Sequence, residues 1–113
     1  MKSVLCAIVK NENKYLKDWI DYHYKLGFDK IVLCDNNDTE YINENSVEVL
    51  DYRNKHIEVD GIKRQMEFNY GIQEVAYNDC YHNYSNDYDW IAFLDIDEYL
   101  ILDNGLSINE FLS

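Results

Sequence analysis

A chain of 113 residues, 47% of them hydrophobic, is long enough for one small domain with a modest core and too apolar for wholesale disorder. Its 22 acids against 10 bases leave a formal net charge of −12. That excludes the basic stripe of a nucleic-acid binder and unaided docking on an anionic membrane, and it means that handling an anionic ligand calls for a metal or a local basic patch.

Ser3–Val9 (SVLCAIV) is a short continuous apolar run, which predicts a buried strand. Lys10–Asn13 (KNEN) is a polar loop with Asn13 as the N-cap of a helix. Leu16, Trp19, Ile20, His23 and Leu26 recur at helical spacing, and Gly27 is placed to close that helix. His23, on the apolar stripe, reads as a satisfied core histidine rather than a ligand. Lys30–Cys34 predicts a second buried strand and Asp35–Asp38 (DNND) a turn-rich loop. Val47–Tyr52 alternates and predicts a third strand near the sheet edge. Ile62, Met66, Asn69, Ile72, Gln73, Ala76 and Cys80 form a second helical stripe, with Gly71 inside it. Tyr81–Asp89 reads as a loop, and Trp90–Leu94 as a fully buried strand. Asp103–Gly105 is a turn, and Ser107–Glu110 (SINE) fits the S-x-x-E capping box of a helix that Ser113 cuts short.

Cys6, Cys34 and Cys80 have no zinc-ligand spacing and read as small core fillers. An odd cysteine count without a signal peptide suits a reducing, cytoplasmic compartment. No apolar run approaches the roughly 18 residues of a membrane span.

The order β-α-β-β-α-β with apolar strands predicts an α/β fold: a Rossmann-like, mostly parallel sheet in spatial order 3-2-1-4, with helices packed on it. Ligands of such sheets bind beyond the carboxyl ends of the strands where the order reverses. Here that edge collects three polar loops: KNEN, DNND and the DIDE of residues 95–98. In an extended segment Asp95 and Asp97 point to the same side, about 6–7 Å apart at Cα, while Ile96 and Glu98 point away. Two such carboxylates suit Mg2+ or Mn2+, which fill their shells with water and substrate phosphates. A solvated strand end is the plainer alternative.

FLDIDEYL resembles the D-x-D motif of metal-dependent glycosyltransferases of the GT-A fold. AIVKNENKYLKDWIDYHYKLGFDKIVLCDNN, KRQMEFNYGIQEVAYNDCYHNY and SINEFL resemble, in the same order, the family-92-like and family-2-like branches of that superfamily. The resemblance implies a nucleotide-sugar donor, most often UDP-linked, and an unknown glycan or lipid-linked acceptor. It implies that Asp97 ligates the metal and that Asp95 contacts the ribose or assists the metal. Asp35 would lie near the base, Asn11 and Glu12 would line the nucleotide pocket, and Arg64 or Gln65, opening the long helix, would reach it from the side. It also implies that residues 1–113 are one nucleotide-sugar-binding domain of a longer protein, with the acceptor half and catalytic base beyond Ser113. A sheet cut after its fourth strand presents an edge through which the chain would self-associate. Two rival functions stay open: a non-catalytic nucleotide- or partner-binding module, and a phosphatase of the haloacid-dehalogenase kind. The latter is disfavoured by Tyr99 two residues after the second aspartate and by the motif's place in the fourth strand.

Overall fold

A computed structural model describes residues 2–53, 56–59, 62–65 and 71–112. In chain order the elements are β1 (Ser3–Val9), α1 (Leu16–Leu26), β2 (Lys30–Asp35), β3 (Glu48–Asp51), β4 (His56–Val59), β5 (Ile62–Gln65), α2 (Gly71–Tyr84), β6 (Trp90–Phe93) and α3 (Ile108–Leu112). The larger sheet runs β3-β2-β1-β6 with every pairing parallel, the expected order with its fourth strand numbered sixth. β3 and β6 are its outer strands, so the strand expected to be fully buried over Trp90–Leu94 is instead an edge strand ending at Phe93, with Trp90 and Phe93 exposed. Among the described residues no helix is long and apolar enough to cross a membrane.

The continuous apolar run of β1 follows from burial on both faces. Leu5, Ala7 and Val9 pack with Leu16, Trp19 and Ile20 of α1, together with Ile96 and Ile108. Val4, Cys6 and Ile8 point the other way, to Ala76, Cys80 and Tyr84 of α2. Successive strand side chains alternate between faces, so one run serves two cores. The three cysteines are free and buried on the α2 side, as small core fillers should be.

Gly27 ends α1 with φ 117°, and its N–H donates to the carbonyls of His23 and Tyr24. A Cβ there would also stand 3.4 Å from the Ile108 backbone nitrogen. Gly27→Ala is therefore expected to cost about 1–2 kcal/mol in urea unfolding. A loss under about 0.5 kcal/mol, the size of an ordinary surface change, would contradict that. At the other end of the chain the capping box forms: Ser107 N–H donates to Glu110 Oε1 at 3.0 Å, and Glu110 N–H to Ser107 Oγ at 3.2 Å.

Several expectations need correcting. The second helix begins at Gly71, not Ile62. Residues 62–65 are β5, antiparallel to β4, so Arg64 and Gln65 sit in a strand and do not open a helix. The β4–β5 pairing runs from His56 opposite Gln65 to Val59 opposite Ile62, and this short antiparallel ladder outweighs a weak helical stripe. Asp60, Gly61, Met66 and Asn69 lie outside the described residues. α2 also runs on through Tyr84, because Tyr84 extends the buried Ala76–Cys80 stripe by another turn. Asn13 does not cap α1; it starts a 3-10 turn, and its side-chain amide bonds the Tyr41 carbonyl and the Asn37 side chain instead.

Candidate functional site

The loops after β1, β2 and β6 leave the carboxyl ends of adjacent strands, where the order reverses between β1 and β6. β6 stops at Phe93, and residues 95–98 form a β-turn rather than extended chain. The Glu98 N–H donates to the Asp95 carbonyl at 3.0 Å, and the Asp95 N–H donates to Glu98 Oε1 at 2.8 Å. The expected extended geometry of Asp95 and Asp97 is thus replaced by a closed turn. Ile96 anchors it, 1% exposed in the α1-side core. Glu98, expected to face away, folds back as the cap of the turn. The spacing Asp95-x-x-Glu98, an acid three residues after a polar turn residue, is the signal that could have shown this.

Glu12, from the loop after β1, faces this turn. Burial raises its carboxyl above the usual range, and Asp97 and Asp95 raise it further. Asp95 is raised by burial, then by Glu98 and Asp97. Among the described residues no cationic side chain offsets either shift. Two strands therefore bring acids together that lie more than eighty positions apart in the chain. Asp97 is exposed, and with Tyr15, Ile96 and Tyr99 it lines a cavity of about 300 Å³.

A carboxyl raised in the folded state takes up its proton at a higher pH than in the unfolded chain. Glu12 and Asp95 therefore weaken the fold at neutral pH, and that cost disappears as pH falls through their raised values. Glu12→Gln is expected to melt above the wild-type chain at pH 7, with the difference shrinking towards about pH 4. Equal melting temperatures at pH 7 would contradict this.

The neighbouring loops are latched together. Asn11 has φ 58°, in the left-handed region that asparagine tolerates. Its side-chain amide donates to Asp38 Oδ2 at 2.9 Å and its Oδ1 accepts from Asp38 N–H at 3.1 Å. Lys10 Nζ meets Asp38 Oδ1 at 2.9 Å. Asn11 thus stands at the rim with its amide already engaged. Asp35 is 2% exposed, and its Oδ1 accepts from Asn37 N–H at 3.0 Å. Burial raises its carboxyl, while the Asn37 N–H and Arg53 pull it down. Asp35 therefore belongs to a separate group with Asp51 and Arg53. Sequence reasoning missed Arg53, whose guanidinium lies 3.6 Å from the Tyr41 ring centroid and donates to the Thr39 carbonyl. For Arg64 and Gln65 the backbone alone is described, in β5.

Among the described residues no group of three or more His, Cys, Asp or Glu side chains is arranged to hold a metal ion by itself. What the turn offers is an open group of hard oxygen donors with excess negative charge. That donor set suits Mg2+ or Mn2+, which take few carboxylates and complete their shells from water and phosphate.

The sequence matches the profile of Glycosyltransferase family 92 over residues 3–113. It is 24% identical over 106 residues to a glycosyltransferase family 92 protein of Ricinus communis, covering 94% of this chain and 18% of that one. A family 92 protein of Oryza sativa subsp. japonica is 24% identical over 110 residues, with 96% and 18% covered. One of Arabidopsis thaliana is 27% identical over 95 residues, with 84% and 16% covered. The chain thus spans less than a fifth of the length of these relatives. No solved structure matches it.

Proposed function

The chain belongs to glycosyltransferase family 92, and on that premise we propose that it forms the donor-binding part of an enzyme that transfers a sugar from a nucleotide-diphosphate sugar, UDP-linked, to a glycan or lipid-linked acceptor. Asp95 and Asp97 hold a Mn2+ or Mg2+ ion there. The observation that carries this is the acid group at the reversal point of the sheet. Glu12, Asp95, Asp97 and Glu98 gather at the β1 and β6 ends, and among the described residues no cationic side chain offsets the shifts of Glu12 and Asp95. Such repulsion is the signature of a site built for a positive ion.

A cation held there would supply charge stabilisation to a departing diphosphate. The chain's own residues bind and orient. Asp97, exposed on a turn whose neighbour Ile96 is locked in the core, presents its carboxylate outward. Glu98 fixes the Asp95 backbone and adds negative charge beside it. In this reading Asn11 and Glu12 line the nucleotide side, Asp35 lies near the base, and Arg64 or Gln65 contributes a further nucleotide contact. Asp95 serves the ribose or the metal.

Calorimetric titration of UDP with and without Mn2+ tests the proposal. Saturable UDP binding that requires Mn2+ is expected. UDP affinity indifferent to Mn2+, or no binding with Mn2+ present, would overturn it.

A further inference from the structure

We infer that Trp19, Tyr22 and His23, on one face of α1, are positioning residues that fix the Asp95–Glu98 turn; their functional role rests on the proposal that this turn serves a cation and a nucleotide. The sheet does not hold the turn. β6 stops at Phe93, although the Leu94 N–H still reaches the Cys6 carbonyl at 3.2 Å. From Asp95 to Leu102 neither strand nor helix recruits the backbone. Its polar groups must find partners elsewhere.

α1 supplies them. Trp19 Nε1–H donates to the Glu98 carbonyl at 2.8 Å. The Tyr22 hydroxyl donates to the Leu100 carbonyl at 2.7 Å. The Leu100 N–H donates to His23 Nε2 at 3.3 Å. Positions 19, 22 and 23 share a helix face by their i, i+3 and i+4 spacing. Tyr99 closes over them, stacked on His23 with centroids 5.7 Å apart and edge-on to Tyr22 at 5.0 Å. The segment directly after Asp97 is therefore set by a helix that lies almost eighty residues earlier in the chain.

His23 gives this clamp a pH limit. Its Nδ1 lies 2.9 Å from the Trp19 carbonyl, which can only accept, so Nδ1 carries the proton. Its Nε2 faces an N–H, which can only donate, so Nε2 is bare. His23 is neutral and of one tautomer. Protonating Nε2 would set two donors against each other and place a charge at a fully buried site. The groups that face His23 are Trp19 and Tyr22 from its own helix, Phe28 from the segment after it, and Tyr99 and Leu100 from beyond the turn. None is a carboxylate or a cation. Burial accordingly pulls the His23 pKa down. The clamp is whole above the ordinary histidine range and loosens as pH falls through the lowered value.

Amide exchange measured by NMR, paired with UDP titration in Mn2+, tests the inference. Tyr22→Phe removes one hydroxyl, His23→Phe keeps an aromatic ring but no acceptor, and His23→Gln restores an acceptor. Exchange at the Glu98 and Leu100 amides is expected to speed up about tenfold in the two Phe variants, with β1 and β2 at wild-type rates. His23→Gln should recover part of that protection. In the wild-type chain Leu100 protection should fall with acidification, and in His23→Gln it should not. The Kd for UDP in Mn2+ should rise roughly threefold to tenfold in the Phe variants. Wild-type exchange at Glu98 and Leu100 in both Phe variants overturns the inference. So does loss of protection spread evenly over the sheet, or faster exchange with an unchanged Kd. A wild-type chain that binds no UDP in Mn2+ sinks the nucleotide proposal instead, and the exchange comparison then decides the clamp alone.

Discussion

Asp97→Ala is expected to weaken Mn2+-dependent UDP binding on the order of 100-fold, the consequence of losing one strong interaction with a charged partner. The fold should barely notice. Asp97 is exposed, the core contact of the turn belongs to Ile96, and the bonds that close the turn run between Asp95 and Glu98. Surface substitutions away from such features change stability within about 0.5 kcal/mol. Calorimetry and a urea titration on the same variant separate the two effects. Asp95→Ala is a less clean probe, because Asp95 is half-buried beside Glu98 and its removal also relieves repulsion. Loss of binding with an unchanged urea midpoint is the expected pair of results. Unchanged binding would remove Asp97 from the site.

Trp19→Ala is expected to destabilise the chain by about 3–5 kcal/mol, the range for removing a buried aromatic side chain. Trp19 is fully buried between α1 and the sheet, in one cluster with Leu5, Ile20 and Ile96. Its indole N–H also holds the Glu98 carbonyl, so truncation leaves a cavity and an unpaired acceptor together. A small domain has total stability of about 5–15 kcal/mol, so the loss is a large part of the whole. The urea midpoint reads it directly, and a shift worth under about 1 kcal/mol would mean that the site collapses around the gap. Trp19 thus joins the core to the proposed site, and both should fail together in this variant.

The parallel sheet and its order are legible in the buried runs of β1 and β2 and in the right-handedness of crossovers, and the Gly27 and SINE caps follow from local chemistry. The hairpin is hidden because Ile62, Ala76 and Cys80 share a helical period by coincidence, while β4 and β5 are too short for their alternation to stand out by eye. The turn at Asp95 reads as extended because a strand pattern gives no notice of where its ladder ends. β6 ends at Phe93 because its pairing with β1 stops at Cys6 opposite Phe93. The roles of Trp19, Tyr22 and His23 are invisible in principle. Their apolar spacing marks a core face, but their partners are backbone atoms of residues 98–100, and no pattern in side-chain identity records a bond to a carbonyl.

Diffraction from crystals grown with UDP and Mn2+, collected at the manganese absorption edge, tests the site most directly. We expect one anomalous peak within ligand distance of the Asp97 carboxylate, with the diphosphate against its far side and the base towards Asp35. Bound UDP with no manganese at the Asp95–Asp97 turn, or manganese elsewhere on the chain, would contradict the proposed site.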